Sequence, residues 1–326
     1  MTSTAAAGTV ESKSDENVYE TTSSLNQYLM LHFPFSGSDE GIPNIYPHAN
    51  APKHGLMFPR RVAEAMLDLY IKVNPQSTSF SRALDIGCAV GGTSFKLAQR
   101  FERVDAFDNS ENFIRVANQM KNMEPVSFQV PMEGDISETV VCQHDPDIDK
   151  KFTDRVEFFV GDACRMPEMM KPSANGAEPL LKSNSYDGIV LANLLCRLQD
   201  PISCLEALPG LLLDHGVILI VTPFTWLEEF TPRDKWLGGY YGETADAPLA
   251  FDNEEEKGTS HPKKRRKNEC WSSDGLQKEM ERLGFVNVSR AEMPLIIREH
   301  QRKYQYIISE VTGWKKRSEA TRMIPR

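Results

Sequence analysis

"RALDIGCAVGGTSFKLA", residues 82–98, decides the fold. Five residues with the look of a short buried strand run into Gly87, Cys88, Ala89, Val90, Gly91 and Gly92, and a helix-forming pattern follows at once. Asp85, Gly87, Ala89 and Gly91 make a D-x-G-x-A-x-G turn. Glycines let the backbone come close to a ligand, and a helix start offers unpaired N–H groups. A dinucleotide site would read G-x-G-x-x-G and seat a pyrophosphate on those N–H groups. The spacing here differs, and an aspartate stands before the first glycine. A carboxylate at that point repels a pyrophosphate and suits a cationic ligand.

On both sides of this turn the pattern alternates. "RVDAFD" reads as a second strand, and "SENFIRVANQMK" as a helix with Ser110 as its N-cap. "RVEFFVGDA", "SYDGIVLANLL" and "GVILIVTPF" supply three more strands. "PISCLEALPGLLL" is a helix with Pro201 in its first turn. Strands alternating with helices predict an α/β fold, a doubly wound and mostly parallel sheet covered on both faces. After a last helix, "SSDGLQKEMERLG", the strands "FVNVSRAEM" and "KYQYIISEVT" follow each other and predict an antiparallel pair closing the sheet. Before the first strand, residues 17–80 read as a helical cap, with amphipathic stretches in "NVYETTSSLNQYLMLHF" and "FPRRVAEAMLDLYIKV".

The expected organisation is one domain over residues 17–320, preceded by a disordered Ser/Thr/Ala/Glu-rich stretch at 1–16. Residues 131–153 read as an acidic insertion, with a small strand pair. Residues 243–270 form a second insertion, which passes from acidic to basic without periodicity and reads as mobile. With 40% hydrophobic and 25% charged residues, the chain can bury a sizeable core. A net charge of −9 argues against a general nucleic-acid binder. The first residues lack the basic and apolar regions of a secretory signal, their acids argue against a transit peptide, and no apolar run is long enough for a membrane helix. The 6 cysteines form no CxxC pair and have no ligand spacing with the 7 histidines, so no metal is expected and the cytoplasm is the default compartment. "HPKKRRK" fits a nuclear-import pattern over residues 262–267, against the plainer reading of a solvated charge run balancing "NEEEK".

Three strand ends carry further polar groups. Asp108 ends the second strand and can accept both hydroxyls of a ribose. Asp162, in the "GDA" after the third, can accept from an adenine amino group, and Asn193 after the fourth faces the same crevice. In this order the set resembles the class I S-adenosylmethionine-dependent methyltransferases, a Rossmann-like family. The resemblance implies S-adenosylmethionine as methyl donor. It carries cofactor contacts onto Asp85, Gly87, Cys88, Ala89 and Gly91 of the turn, onto Asp108, Asn109, Asp162, Ala163 and Asn193 at the strand ends, and onto Tyr19 and Arg61 from the cap. Cys88 reads as a small loop filler, since methyl transfer needs no thiol nucleophile.

A narrower resemblance rests on longer stretches. "NVYETTSSLNQYLMLHF", "FPRRVAE", "LDIGCAVGGTSFKLA", "TPFTWLEEFTP…WLGGY" and "MPLIIREHQRKYQY" are similar to the C-terminal methyltransferase domain of ovothiol synthases, over residues 17–315. The chain departs from that family at Cys196 of "LLCRLQDP", where an aspartate is usual, and in the 243–270 insertion. The resemblance implies methylation of a ring nitrogen of 5-thiohistidine (4-mercaptohistidine), with a separate sulfoxide synthase module as the source of that substrate. On this reading the aromatic stretch after the fifth strand holds the imidazole between Phe224, Trp226, Trp236 and Tyr240. Glu228 or Glu229 takes the ammonium, and Arg61, Arg233 or Arg298 takes the carboxylate. Tyr28, His32 and His54 are the candidates for a general base. The competing reading of the stretch is a packed lid. The competing functions are a class I methyltransferase of another small molecule or of a protein side chain, and a catalytically silent cofactor-binding scaffold.

Overall fold

In the computed structural model, the described residues are 18–36, 52–173, 175–242 and 268–317. The stretch expected to be disordered, 1–16, and residues 243–267 of the charged insertion, with its basic run, lie outside them. Helices α1 (Thr22–His32) and α2 (Phe58–Val73) precede the sheet. The chain then alternates through β1 (Arg82–Ile86), α3 (Gly92–Leu97), β2 (Arg103–Asp108) and α4 (Glu111–Lys121). The strands β3 (Ser127–Glu133) and β4 (Ile136–Val141) pair antiparallel, and a single turn, α5 (Lys150–Thr153), leads to β5 (Val156–Val160). After α6 (Met166–Met169) come β6 (Tyr186–Ala192), α7 (Pro201–Leu211) and β7 (Leu212–Thr222). A two-residue pair, β8 (Tyr240–Tyr241) and β9 (Glu269–Cys270), precedes α8 (Ser272–Arg282), β10 (Phe285–His300) and β11 (Lys303–Lys316).

The main sheet has 7 strands in the order β10-β11-β7-β6-β1-β2-β5. Its strands β7, β6, β1, β2 and β5 are parallel, and β11 pairs antiparallel with β7 and with β10. The chain winds from β1 outward through β2 and β5, then returns to the other side of β1 with β6 and β7. That reversal leaves a crevice above the carboxyl ends of β1 and β6, where open α/β sheets bind their ligands. One layer of core lies under α1, α2, α3 and α4, and a second under α7 and α8.

Ser110 caps α4 as its sequence position predicts, its hydroxyl accepting the Phe113 N–H at 3.1 Å. The insertion does hold a strand pair, but it begins at Ser127, earlier than the sequence boundary at 131, because "SFQV" alternates in burial and joins the hairpin. It is fixed to α3 by Lys96, a buried lysine paired with the buried Asp145 at 3.0 Å and with Asp147. The largest departure is β10, whose strand runs on past Met293 to His300. Pro294 suggests a strand end, yet β10 is an edge strand and proline tolerates an edge, where no ladder N–H is required. Only Glu310–Lys315 of β11 pair with β7, so the other half of the β10–β11 hairpin rises above the crevice.

Candidate active site

The crevice holds a cavity of about 980 Å³, including its open mouth. Its floor is the glycine turn. Gly87 (φ 74°), Ala89 (φ 47°) and Gly91 (φ 89°) all take the left-handed conformation, which turns the backbone sharply from β1 into α3. The N–H groups of Gly87 and Cys88 both donate to the Phe107 carbonyl, at 2.9 and 3.0 Å, which ties the turn to the end of β2. A Cβ on Gly87 would lie 2.8 Å from the Leu194 side chain, so a side chain there would fill the gap between β1 and β6.

Asp108 accepts the Ala89 N–H with one carboxylate oxygen and the Ser110 N–H with the other, each at 3.0 Å. Each oxygen keeps a further lone-pair direction, so the carboxylate can still accept a vicinal diol. Asp162 accepts the Cys164 N–H at 2.8 Å with one oxygen, and the other is available at the rim. Asn193, itself left-handed (φ 53°), receives the Ser309 hydroxyl on its side-chain oxygen at 2.8 Å, which leaves its amide NH₂ for the cavity. Asp85 is 2% exposed and takes the Ser94 hydroxyl at 2.6 Å. Burial pushes its carboxyl up to about 7, with Ser94 opposing the shift and Asp108 adding to it. A carboxyl so desolvated on a cavity wall gains most from a cation placed beside it.

Helix α1 and the turn before it close this cavity from the side. The Glu20 carboxylate accepts the N–H groups of Glu111 and Asn112, at 2.9 and 3.3 Å, an acid set against the positive end of α4. Ser110 donates to the Tyr19 carbonyl at 3.2 Å. Tyr28 packs against Phe113 with ring centroids 4.9 Å apart, and burial raises its phenol, which stays protonated. His32 accepts the Gly92 N–H on Nδ1 at 3.0 Å, and burial pulls its imidazole down to about 3. Phe58 and Pro59 from the start of α2, with Leu295 and Ile297 from the raised part of β10, complete the apolar wall.

Of the twelve cofactor contacts that the resemblance implies, ten line the cavity and two do not. Gly91 shapes the turn from behind, where a Cβ would meet the Phe158 ring at 2.6 Å. The Arg61 guanidinium donates to the carbonyls of Leu56 and Pro294, at 2.9 and 2.5 Å, and so links α2 to β10.

The expected substrate residues lie elsewhere. None of Phe224, Trp226, Glu228, Glu229, Trp236 and Tyr240 lines the cavity. The indoles of Trp226 and Trp236 stack on each other, 6.2 Å apart at 18°, and donate to the Ser272 hydroxyl and the Thr231 carbonyl, each at 2.8 Å. Phe224 packs into the core beneath α7 and α8, and Tyr240 is exposed on β8. Glu228 and Glu229 are exposed, with Glu228 3.8 Å from Arg233. The lid reading of this stretch therefore fits its geometry, because aromatic faces already covered cannot clasp a ring. Arg298 is buried and donates to the Pro131 carbonyl at 3.3 Å, away from the cavity lining. His54 bonds the Tyr306 hydroxyl at 2.8 Å outside the cavity. The general-base role expected of His32 and Tyr28 is corrected as well. With Nδ1 accepting and the ring neutral, the His32 proton sits on Nε2, so both residues enter neutral solution as donors.

Sequence reasoning missed Arg197, Phe113, Thr93, Leu295 and Ile297, all of which line the cavity. Arg197 was in plain view inside "LLCRLQDP", next to the departure at Cys196, and the spacing from Asn193 was the signal that could have found it.

Three acids and a glycine turn stand at the topological switch point of a sheet with the strand order of the class I methyltransferase fold. The comparisons agree: a family model described as a methyltransferase domain matches residues 58–290, and the chain belongs to that family. It is a methyltransferase whose methyl donor is S-adenosylmethionine. Among solved structures, a methyltransferase dependent on S-adenosylmethionine from Methanosarcina mazei is 16% identical, covering 76% of this chain and 98% of its own, with a TM-score of 0.42. Another from Clostridium acetobutylicum is 11% identical, covering 80% and 92%, with a TM-score of 0.43. No curated protein matches the chain. Among the described residues, no helix is long and apolar enough to cross a membrane, and no cluster of three His, Cys, Asp or Glu side chains is arranged to hold a metal ion.

Proposed function

We propose that this methyltransferase acts on a small aromatic ring inside this cavity, and that the acceptor is a ring nitrogen of 5-thiohistidine. The observation that carries the reading is the side wall of the cavity, where Tyr28, His32 and Phe58 stand, the phenol keeping its proton and the imidazole neutral with one N–H. The bound cofactor supplies an electrophilic methyl group on a sulfonium. Asp108 would take its ribose hydroxyls, Asp162 and Asn193 its adenine end, and Asp85 its ammonium. Alignment contributes most of the rate in such an in-line displacement.

An imidazole with an ordinary pKa near 6.5 is mostly neutral at pH 7, so its nitrogen lone pair is already available. The difficulty is the thiolate, the stronger nucleophile on the same ring. Tyr28 O–H and His32 Nε2–H can each donate to an anionic sulfur and hold it away from the methyl group, whereas a general base in their place would compete for the proton. The apolar wall built by Phe58, Pro59, Leu295 and Ile297 favours a small acceptor over a protein side chain.

Incubation with S-adenosylmethionine and 5-thiohistidine, followed by mass spectrometry of the product, tests the reading. N-methylated thiohistidine is expected. Methyl transfer to histidine with none to thiohistidine would overturn it.

A further inference from the structure

Arg197 stands on the loop after β6 and lines the cavity. Its Nη1 donates to the Thr225 carbonyl at 2.7 Å and to the Cys196 carbonyl at 3.0 Å, and its guanidinium lies over the Phe230 ring at 5.0 Å. These contacts fix the side chain with neutral partners alone. Among the described residues no carboxylate forms an ion pair with it, and both carbonyl bonds come from one nitrogen. The Tyr19 side chain also hydrogen-bonds the guanidinium. A guanidinium has five N–H groups in a planar fork, so N–H groups beyond these neutral contacts can meet an anion. A half-buried cation braced in this way, with no anion, is arranged to receive one.

The other arginines expected to meet a carboxylate are committed. Arg61 is spent on two carbonyls, Arg298 donates toward β3, and Arg233 is exposed beside Glu228. Arg197 leans on Thr225 and Phe230, which follow β7, while the glycine turn, Asp85 and Asp108 belong to β1 and β2 on the other side of the switch point. We infer that Arg197 reads a carboxylate on the methyl acceptor, so that the enzyme selects an α-amino acid over the corresponding amine. This rests on the proposed function and deepens it by assigning the residue that reads the acceptor's carboxylate.

The test pairs 5-thiohistidine with its decarboxylated counterpart, 5-thiohistamine, for the wild type, Arg197→Gln and Arg197→Lys. The wild type should favour the carboxylate-bearing substrate by about 30-fold in kcat/KM, the scale of a buried charge pair left half empty. Arg197→Gln should lower turnover of thiohistidine to near the thiohistamine value and leave thiohistamine and the affinity for S-adenosylhomocysteine unchanged. Arg197→Lys, which keeps the charge without the fork, should retain part of the preference. Equal wild-type turnover of both substrates would overturn the assignment and leave the proposed function standing. A preference that survives in Arg197→Gln would overturn it too. Weakened S-adenosylhomocysteine binding with the preference intact would move Arg197 to the cofactor's own carboxylate. Turnover of neither substrate by the wild type would sink the proposed function, and the assignment with it.

Discussion

The imidazole of His32 accepts the backbone N–H of Gly92 through Nδ1 at 3.0 Å, joining the last turn of α1 to the first residue of α3. The glycine turn that forms the cavity floor is thereby tied to the helix that forms its side. A Cβ on Gly92 would lie 2.8 Å from that nitrogen, so the contact needs glycine although the residue is not left-handed. Gly92→Ala should push α1 off the turn and weaken S-adenosylhomocysteine binding by about tenfold, which is the order of one buried donor left unsatisfied. Calorimetry checks this, and unchanged affinity would mean that the two helices close independently.

The same contact sets a pH expectation. His32 changes charge only near 3, and Tyr28 is held protonated well above neutral pH, in both cases chiefly by burial. Neither titrates between pH 6 and 9, so kcat should show no limb from these residues there. His32→Gln, whose side-chain oxygen can also accept the Gly92 N–H, should keep most of the activity. A limb near pH 6.5 in the wild type that vanishes in His32→Gln would make the ring a base after all.

Asp85 gives the opposite case, a carboxyl that burial lifts to about 7. Its folded pKa of about 7 lies above the ordinary carboxylate range, because burial opposes the charge. The unliganded fold is therefore favoured with Asp85 protonated, and it loses that stability as pH rises from about 4 through 7. A cationic ligand pairs with the ionised form, so its affinity should rise over the same interval, by up to about tenfold per pH unit below 7. Melting temperatures of the unliganded protein and S-adenosylhomocysteine titrations at pH 5.5 and 8 should move in opposite directions. Asp85→Asn should flatten both trends; trends that survive in that variant would place the titrating group elsewhere.

The contrast between the cofactor side and the acceptor side reflects what a sequence encodes locally. Asp85, Asp108, Asp162 and Asn193 stand at strand ends, and a strand end at the switch point has few places to go. The β10 wall was hidden because Pro294 looks like a terminator, and only the edge position of β10 makes it harmless. Leu295 and Ile297 then line the cavity as alternate residues of one strand face. The aromatic stretch after β7 misled for a related reason: composition records that Trp226 and Trp236 are costly to expose, but not whether a ligand or another indole covers them.

Asp108 has two tasks that substitution can separate. It holds the glycine turn by accepting the Ala89 N–H, and on the proposed reading it offers a carboxylate to the ribose. Asp108→Ala should weaken S-adenosylhomocysteine binding by roughly 1–3 kcal/mol. Asp108→Asn should recover part of the melting temperature and little of the affinity, since an amide has a single oxygen acceptor for three demands. Equal recovery of both would mean that the residue serves only the turn.

The stretch after β7 is predicted to carry stability in place of regiochemistry. Trp226 is 8% exposed, stacked on Trp236 and bonded to Ser272 at the start of α8, so it joins the lid to the sheet's last helix. Trp226→Ala removes a large packed side chain and leaves the Ser272 hydroxyl without its donor, and should cost about 3–5 kcal/mol of folding stability. At a temperature where the variant is folded, its product should still be methylated on the same atom as the wild-type product. Glu228→Ala and Glu229→Ala remove exposed carboxylates and should leave kcat/KM within about twofold, the range of surface substitutions. Product analysis beside thermal melts separates the alternatives. S-methylated product from Trp226→Ala, or a large loss of kcat/KM in either glutamate variant at unchanged stability, would return these residues to the substrate.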